Sequence, residues 1–163
     1  QVNLAIVLDG SGSIVSGDWI LEKEFAQNAV GAFARRNLFG NGGTASYVQF
    51  SSSVISSGTF DTQDGFRTFS DGDVQGGGGT DIEVGVREAR DLINAQDGTA
   101  AFMIVITDGN GGDPAPEADA ARAEGTIVFA VGVGTEVSTS TLLAIGGDES
   151  NVFEIGDFDE LDS

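Results

Sequence analysis

Five consecutive apolar residues, Leu4-Ala5-Ile6-Val7-Leu8, run directly into Asp9-Gly10-Ser11-Gly12-Ser13. An unbroken apolar run has no polar face, so it reads as a strand covered on both sides, as in the middle of a parallel sheet. A second run, Ala100 to Ile106, ends in the same manner at Thr107-Asp108-Gly109. In open α/β sheets ligands bind outside the C-terminal ends of the strands, where both acidic turns would lie.

Between and after these runs, strand and helix patterns alternate. Asp18 is placed to cap a helix reaching about Arg36, with Ile20, Leu21, Phe25, Ala29, Val30 and Phe33 on one face. Glu22 and Glu24 near its start and Arg35 and Arg36 near its end suit the helix dipole. Ala45 to Phe50 and Val54 to Phe60, split by Ser51-Ser52-Ser53, form a hairpin pattern that puts one antiparallel strand at an edge. Asp61 to Gly79 is polar and glycine-rich and reads as loop with a short helical turn.

Thr80 with Glu83 has the spacing of a capping box, opening a helix whose buried face is Ile82, Val86, Ala89 and Ile93. Asp113 and Pro114 begin another helix to about Glu124. Thr126 to Val133 is a further buried strand, Thr139 to Ile145 a short helix, Val152 to Ile155 a last strand, and Asp157 to Leu161 the first turn of a helix that stops at Ser163. The expected architecture is a doubly wound, mostly parallel sheet with one antiparallel edge strand and helices on both faces. Without a repeat or linker, residues 1–163 are expected to form one domain, a fragment of a larger protein with its C-terminal helix cut short.

Composition narrows the chemistry. Twenty-six acidic against 7 basic residues give a formal net charge of −19, which repels phosphate backbones and argues against a nucleic-acid partner. No apolar run is long enough to span a bilayer, so direct membrane insertion is not expected. Such acidity fits salty or calcium-rich surroundings outside the cell. With no His and no Cys, the chain cannot build a Ser-His-Asp triad, a His-ligated zinc site or a cysteine nucleophile.

What remains is oxygen chemistry: Asp9, Ser11 and Ser13 on the first loop, Thr80 before a helix, and Asp108 on the second acidic turn. If the first and fourth strands are neighbours, Asp9 and Asp108 lie side by side, and two ionised carboxylates so placed repel unless a cation separates them. Hard divalent cations such as Mg²⁺ take oxygen ligands in an octahedral shell. Two carboxylates and three hydroxyls leave one vertex for water or another molecule's oxygen.

Rival readings lack parts. Gly10-Ser11-Gly12 has neither a P-loop lysine nor the third glycine of a dinucleotide fingerprint, where Val15 stands. An aspartyl-phosphate enzyme would want a cation for the phosphoryl group, and Lys23, the one lysine, falls on the first helix. Asp71-Gly72-Asp73 opens like an EF-hand loop, but Ile82 occupies the final glutamate position; a second ion near Asp71 or Asp73 stays open as an alternative to a plain acidic loop. Taken singly, Asp9 and Ser11, Thr80 or Asp108 could each serve only a turn or cap.

Taken in order, Asp-Gly-Ser-Gly-Ser after an apolar strand, Gly-Gly-Thr at residues 78–80 and Thr-Asp-Gly after another apolar strand resemble the von Willebrand factor type A domain and its metal-ion-dependent adhesion site. The resemblance implies a Rossmann-like fold in which Ser11 and Ser13 bind a divalent cation (Mg²⁺, Mn²⁺ or Ca²⁺) directly, and Asp9, Thr80 and Asp108 bind it directly or through water. It implies a non-enzymatic adhesion module whose open vertex takes an Asp or Glu carboxylate of a partner protein. The setting implied is extracellular or at the cell surface, among neighbouring domains of a secreted, bacterial-type adhesin. Subunits of intracellular motor or metal-inserting ATPase complexes also use this domain type and form the first alternative. A metal-dependent phosphatase-like enzyme is the second.

Overall fold

In the computed structural model, residues 1–155 are described. A six-stranded sheet runs in the order β3-β2-β1-β4-β5-β6, built from β1 (Val2–Asp9), β2 (Thr44–Phe50), β3 (Val54–Phe60), β4 (Ala100–Thr107), β5 (Thr126–Gly132) and β6 (Val152–Glu154). Only the β2–β3 pairing is antiparallel, at the edge the serine-rich turn implied; the other pairings are parallel.

β1 sits between β2 and β4 and is buried on both faces. Leu4, Ile6 and Leu8 face a core layer formed with Trp19, Phe25 and Val30 of α1 (Ser16–Arg35) and Phe66 of α2 (Gln63–Gly72). Ala5 and Val7 face the opposite layer, with α3 (Ile82–Asn94), α4 (Ala115–Ala123) and α5 (Thr139–Gly146). Period-two alternation of a strand thus assigns successive residues to two different cores. Each fully buried Leu or Ile contributes roughly 1.5–3 kcal/mol. The first site loop therefore follows a central strand buried on both faces.

Four local expectations need correction. Val15, not Asp18, occupies the N-cap position of α1, and no side chain caps it. Ile20 and Leu21 are 54% and 44% exposed, while Trp19, Glu22, Phe25, Ala26, Val30 and Gly31 are the buried positions. The inward stripe is thus displaced from the one hydrophobicity alone selects, because a carboxylate occupies one of its places. The stretch expected to be loop with a short helical turn contains a longer helix, α2, ten residues, capped by Thr62 Oγ1 accepting from Gly65 N at 3.0 Å. Phe66 and Phe69 of α2 pack edge-on against Tyr47, an aromatic contact across elements that polar local composition conceals. The Thr80–Glu83 capping box does not form: Asp81 is the N-cap of α3, without a side-chain cap bond, and Glu83 Oε2 is buried with no hydrogen bond. The helical turn expected at Asp157 to Leu161 lies outside the described residues.

Candidate metal centre

The first loop is organised by Asp9. Its Oδ1 accepts from Ser11 N at 2.9 Å and Ser11 Oγ at 2.5 Å, and its Oδ2 accepts from Thr107 Oγ1 at 2.6 Å. Ser11 therefore spends its hydroxyl proton on Asp9 and keeps oxygen lone pairs for another electrophile. Ser13 Oγ lies 3.1 Å from Ser11 Oγ, at the exposed side of the loop. Asp9 and Ser11 are wholly buried, and Asp108 is 6% exposed. Asp9 is aligned with Thr107 across the ladder, since Leu8 pairs with Ile106, so Asp108 follows immediately beside it.

Thr80 arrives from the segment before α3, which is stitched to the first loop. Gly77 N donates to Gly10 O and Gly12 N to Gly78 O, both at 2.8 Å. Gln75 Nε2 donates to Ser11 O at 3.0 Å and Ile14 O at 2.8 Å. On its other side Thr80 packs against the turn that follows Asp108. A Cβ at Gly111 would lie 2.4 Å from Thr80 O and 2.5 Å from Thr80 Cβ, and φ there is +146°, so both space and backbone demand glycine. Thr80 thus stands between the two acidic turns, and the structure gathers the segments bearing Asp9, Ser11, Ser13, Thr80 and Asp108 at one end of the sheet.

Three supporting residues escaped sequence reading. Thr107 joins the two central strand ends and also accepts from Gly109 N at 3.0 Å; its place opposite Asp9 is visible only once strand register is known. Glu22, assigned by sequence to the helix dipole, is wholly buried and accepts from Asp9 N at 2.8 Å, while its Oε2 has no hydrogen-bond partner. A charged residue three positions after Trp19 and three before Phe25 was the available clue. Gln49 is a third, buried at Gly10, where a Cβ would meet its Oε1 at 2.1 Å.

The electrostatics of the cluster are one-sided. Burial pushes the Asp9 carboxyl up from its ordinary range and Asp108 adds to the rise, against the pull of hydrogen bonds from Ser11 and Thr107. Burial holds the Glu22 carboxyl well above its ordinary range, with the Asp9 charge adding to the effect. Negative charge is thus disfavoured here unless a cation joins it. Hydroxyl lone pairs and carboxylates suit a hard divalent ion, so the donor set fits one. Among the described residues no three Asp or Glu side chains are grouped to hold a metal, so any ion here would depend on the hydroxyls.

The two acids of the second-ion alternative tie their loop to its neighbours. Asp73 accepts from Tyr47 Oη at 2.7 Å, Gln49 Nε2 at 2.7 Å and Ser56 Oγ at 2.8 Å, and Asp71 Oδ1 accepts from Gln27 Nε2 at 2.7 Å. Asp73 is a structural hub that pins the loop ahead of Thr80.

Beside Ser13 and Asp108 opens a cleft of about 580 Å³ between the start of α1 and the loop after β5. An apolar hollow of about 650 Å³ lined by Val2, Phe33, Leu38 and Phe102 lies at the opposite end of β1 and β4, away from these groups.

A mostly parallel sheet with hydroxyl- and carboxylate-bearing loops at the C-terminal ends of its central strands defines a Rossmann-like α/β domain whose donor set suits a cation. The family model described as the von Willebrand factor type A domain matches residues 3–163, and the chain belongs to that family. No curated protein matches the sequence. Among solved structures it is similar to proximal thread matrix protein 1 from the mussel byssus, with 26% identity and a TM-score of 0.82 over 99% of this chain and 46% of that one. A further structure of that mussel protein, 25% identical over 99% of this chain and 46% of that one (TM-score 0.82), has a zinc-occupied MIDAS motif. The fold is shared with the pilus adhesin SpaC of Lactobacillus rhamnosus GG, at 16% identity and TM-score 0.76 over 99% of this chain and 29% of that one. The chain spans less than half the length of the mussel structures.

Proposed function

We propose that this domain is a cation-dependent protein-binding module in which Asp9, Ser11, Ser13, Thr80 and Asp108 hold one divalent ion, with a remaining vertex for an Asp or Glu carboxylate of a partner. The observation that carries the reading is the Ser11–Asp9 hydrogen bond of 2.5 Å, which commits the serine proton to the carboxylate and leaves the hydroxyl oxygen free to ligate. Burial first, and the Asp108 charge to a lesser degree, raise the Asp9 carboxyl above its ordinary range, which adds a reason for a cation. The bound ion supplies Lewis acidity towards an incoming carboxylate; Asp9 orients Ser11, Thr107 orients Asp9, and the Gly111 turn holds Thr80.

Binding is favoured over phosphoryl transfer because Lys23 donates to Ser70 O and Asp73 O, both at 3.0 Å, and is engaged there. The mussel matrix protein and the pilus adhesin support an extracellular adhesive setting, and their greater length supports residues 1–163 being one domain among others. Mg²⁺, Mn²⁺ and Ca²⁺ all suit the donor set; the zinc-occupied relative adds Zn²⁺ to the ions worth testing.

The test is thermal unfolding and calorimetry in EDTA and with each cation. An ion at about a hundred times its Kd adds about 2.7 kcal/mol, which raises Tm by roughly 5–10 °C in a domain of this size. Asp9→Ala and the milder, surface Ser13→Ala should remove or reduce that rise. No cation response in the wild type, or a full response in both variants, would sink the reading.

A further inference from the structure

The turn that follows Asp108 carries a chemistry that cation binding does not use. The chain contains two Asn-Gly steps, Asn41-Gly42 and Asn110-Gly111, and both asparagines are exposed. In such a step the glycine nitrogen can attack the asparagine side-chain amide, because the residue after the asparagine has no Cβ to shield that nitrogen. The structure separates the two steps by what engages the nucleophile. Gly42 N donates to Phe39 O at 3.1 Å, and Asn41 Oδ1 accepts from Asn37 Nδ2 at 3.5 Å. Gly111 N makes no hydrogen bond among the described residues.

The second step also lies where a change of backbone would be felt. Asn110 N donates to Asp108 Oδ1 at 2.9 Å, and Asn110 Nδ2 donates to Glu136 O at 2.7 Å, which ties the Asp108 turn to the loop after β5. Gly111 is pressed against Thr80: a Cβ there would lie 2.4 Å from Thr80 O. At Gly42 a Cβ would meet only Gln1 Oε1, at 4.0 Å.

We propose that Asn110 is a self-modification site whose deamidation weakens the metal centre as the protein ages. Gly111 N forms a bond to Asn110 Cγ, the Cγ–Nδ2 bond breaks, and ammonia leaves with the proton of the glycine nitrogen. Water then opens the cyclic imide at either carbonyl, leaving an aspartyl or an isoaspartyl residue, and nothing is oxidised or reduced. Both products replace the Nδ2 donor with a carboxylate oxygen that repels Glu136 O. The isoaspartyl product also lengthens the main chain by a methylene just before Gly111, where Thr80 leaves no room. The loss of cation affinity rests on the metal reading above; the conversion does not.

The experiment holds the full 163-residue chain in mildly alkaline buffer with EDTA and follows it by peptide mapping with mass spectrometry and by enzymatic methylation of isoaspartate. Asn110 should convert about two- to tenfold faster than Asn41, the ratio set by one additional hydrogen bond to break at Gly42. In urea, where that bond is gone, the two rates should converge. The fraction deamidated at Asn110, separated by ion exchange, should bind Mg²⁺ at least about tenfold more weakly than fresh protein by calorimetry, the scale of a lost outer-shell partner. Asn110→Gln, whose longer side chain does not close the ring readily, should show no decline from its own initial affinity. Asn41 converting as fast as Asn110 in the folded protein, or a deamidated fraction that binds Mg²⁺ as fresh protein does, overturns the proposal. Fresh protein with no cation response overturns the metal reading and, with it, the loss on ageing, whatever the mass data show.

Discussion

Thr107 Oγ1 donates to Asp9 Oδ2 over 2.6 Å, tying the C-terminal ends of the two central parallel strands through a buried side-chain pair. The same oxygen accepts from Gly109 N, so one hydroxyl sets both acidic turns. Thr107→Val keeps the shape and deletes both bonds. It should destabilise the domain by about 1–3 kcal/mol, the cost of leaving buried partners unsatisfied, and weaken cation binding by calorimetry. Thr107→Ser should restore most of both.

Glu22 is the second support. Its carboxyl is raised by burial first and by the Asp9 charge next, and Asp9 is raised by burial as well. Groups raised in the folded state give stability that is present below their unfolded values and is lost as pH rises through the shifted ones. In EDTA the protein should therefore lose stability as pH climbs from the ordinary carboxylate range towards neutrality and beyond. Glu22→Gln retains an acceptor for Asp9 N and cannot ionise. Its metal-free Tm near pH 8 should exceed that of the wild type by at least about 3 °C, a shift near 1 kcal/mol for a domain of this size, and its pH profile should be flatter. A lower Tm at every pH would count against this account.

Asp73 bears on whether a second cation exists. Asp73→Ala strands Tyr47 Oη, Gln49 Nε2 and Ser56 Oγ, bonded to it now at 2.7–2.8 Å. Urea unfolding should show a loss of about 2–4 kcal/mol. Ca²⁺ stoichiometry should not change; one fewer bound ion per chain would establish a site there.

At the surface, α3 and α4 are joined by Arg87 and Arg90 against Glu117 and Glu124, with Arg90 2.6 Å from Glu117 and 2.7 Å from Glu124. Burial alone would raise Glu117, but hydrogen bonds from Arg87 and Arg90 outweigh it; Glu124 is held low chiefly by Arg90 and then Asn94. Groups held low in the folded state stabilise it above the ordinary carboxylate range, and that contribution goes as pH falls. Arg90→Ala should cost no more than about 1 kcal/mol at neutral pH, and less in strong salt or acid. A cost that persists in both conditions would mean packing, not charge, holds these helices.

Much of the arrangement was legible along the chain. Leu4–Leu8 and Ala100–Ile106 announce central strands because a strand buried on both faces cannot afford polar alternation, and that same rule points to Asp9 and Asp108 at their ends. The serine turn at 51–53 marks the antiparallel edge. Local pattern misled where tertiary contacts took precedence. The α2 segment is polar, yet Phe66 and Phe69 reach Tyr47 and make a helix worth forming. Thr80 has the spacing of a cap, yet the Gly111 turn and the stitched Gly77–Gly78 segment hold it instead between the acidic loops.

Residue type and order alone determined the fold class, the two acidic turns and the oxygen character of the chemistry, since these follow from hydrophobic period and from which donors the chain possesses. Register, burial and charge pairing were decided only in three dimensions. Which hydroxyl meets Asp9, that Glu22 sits beneath it, and that Asp18 and Glu136 line the same cleft all depend on residues far apart in the chain. Their energies arise from neighbours that no local window contains.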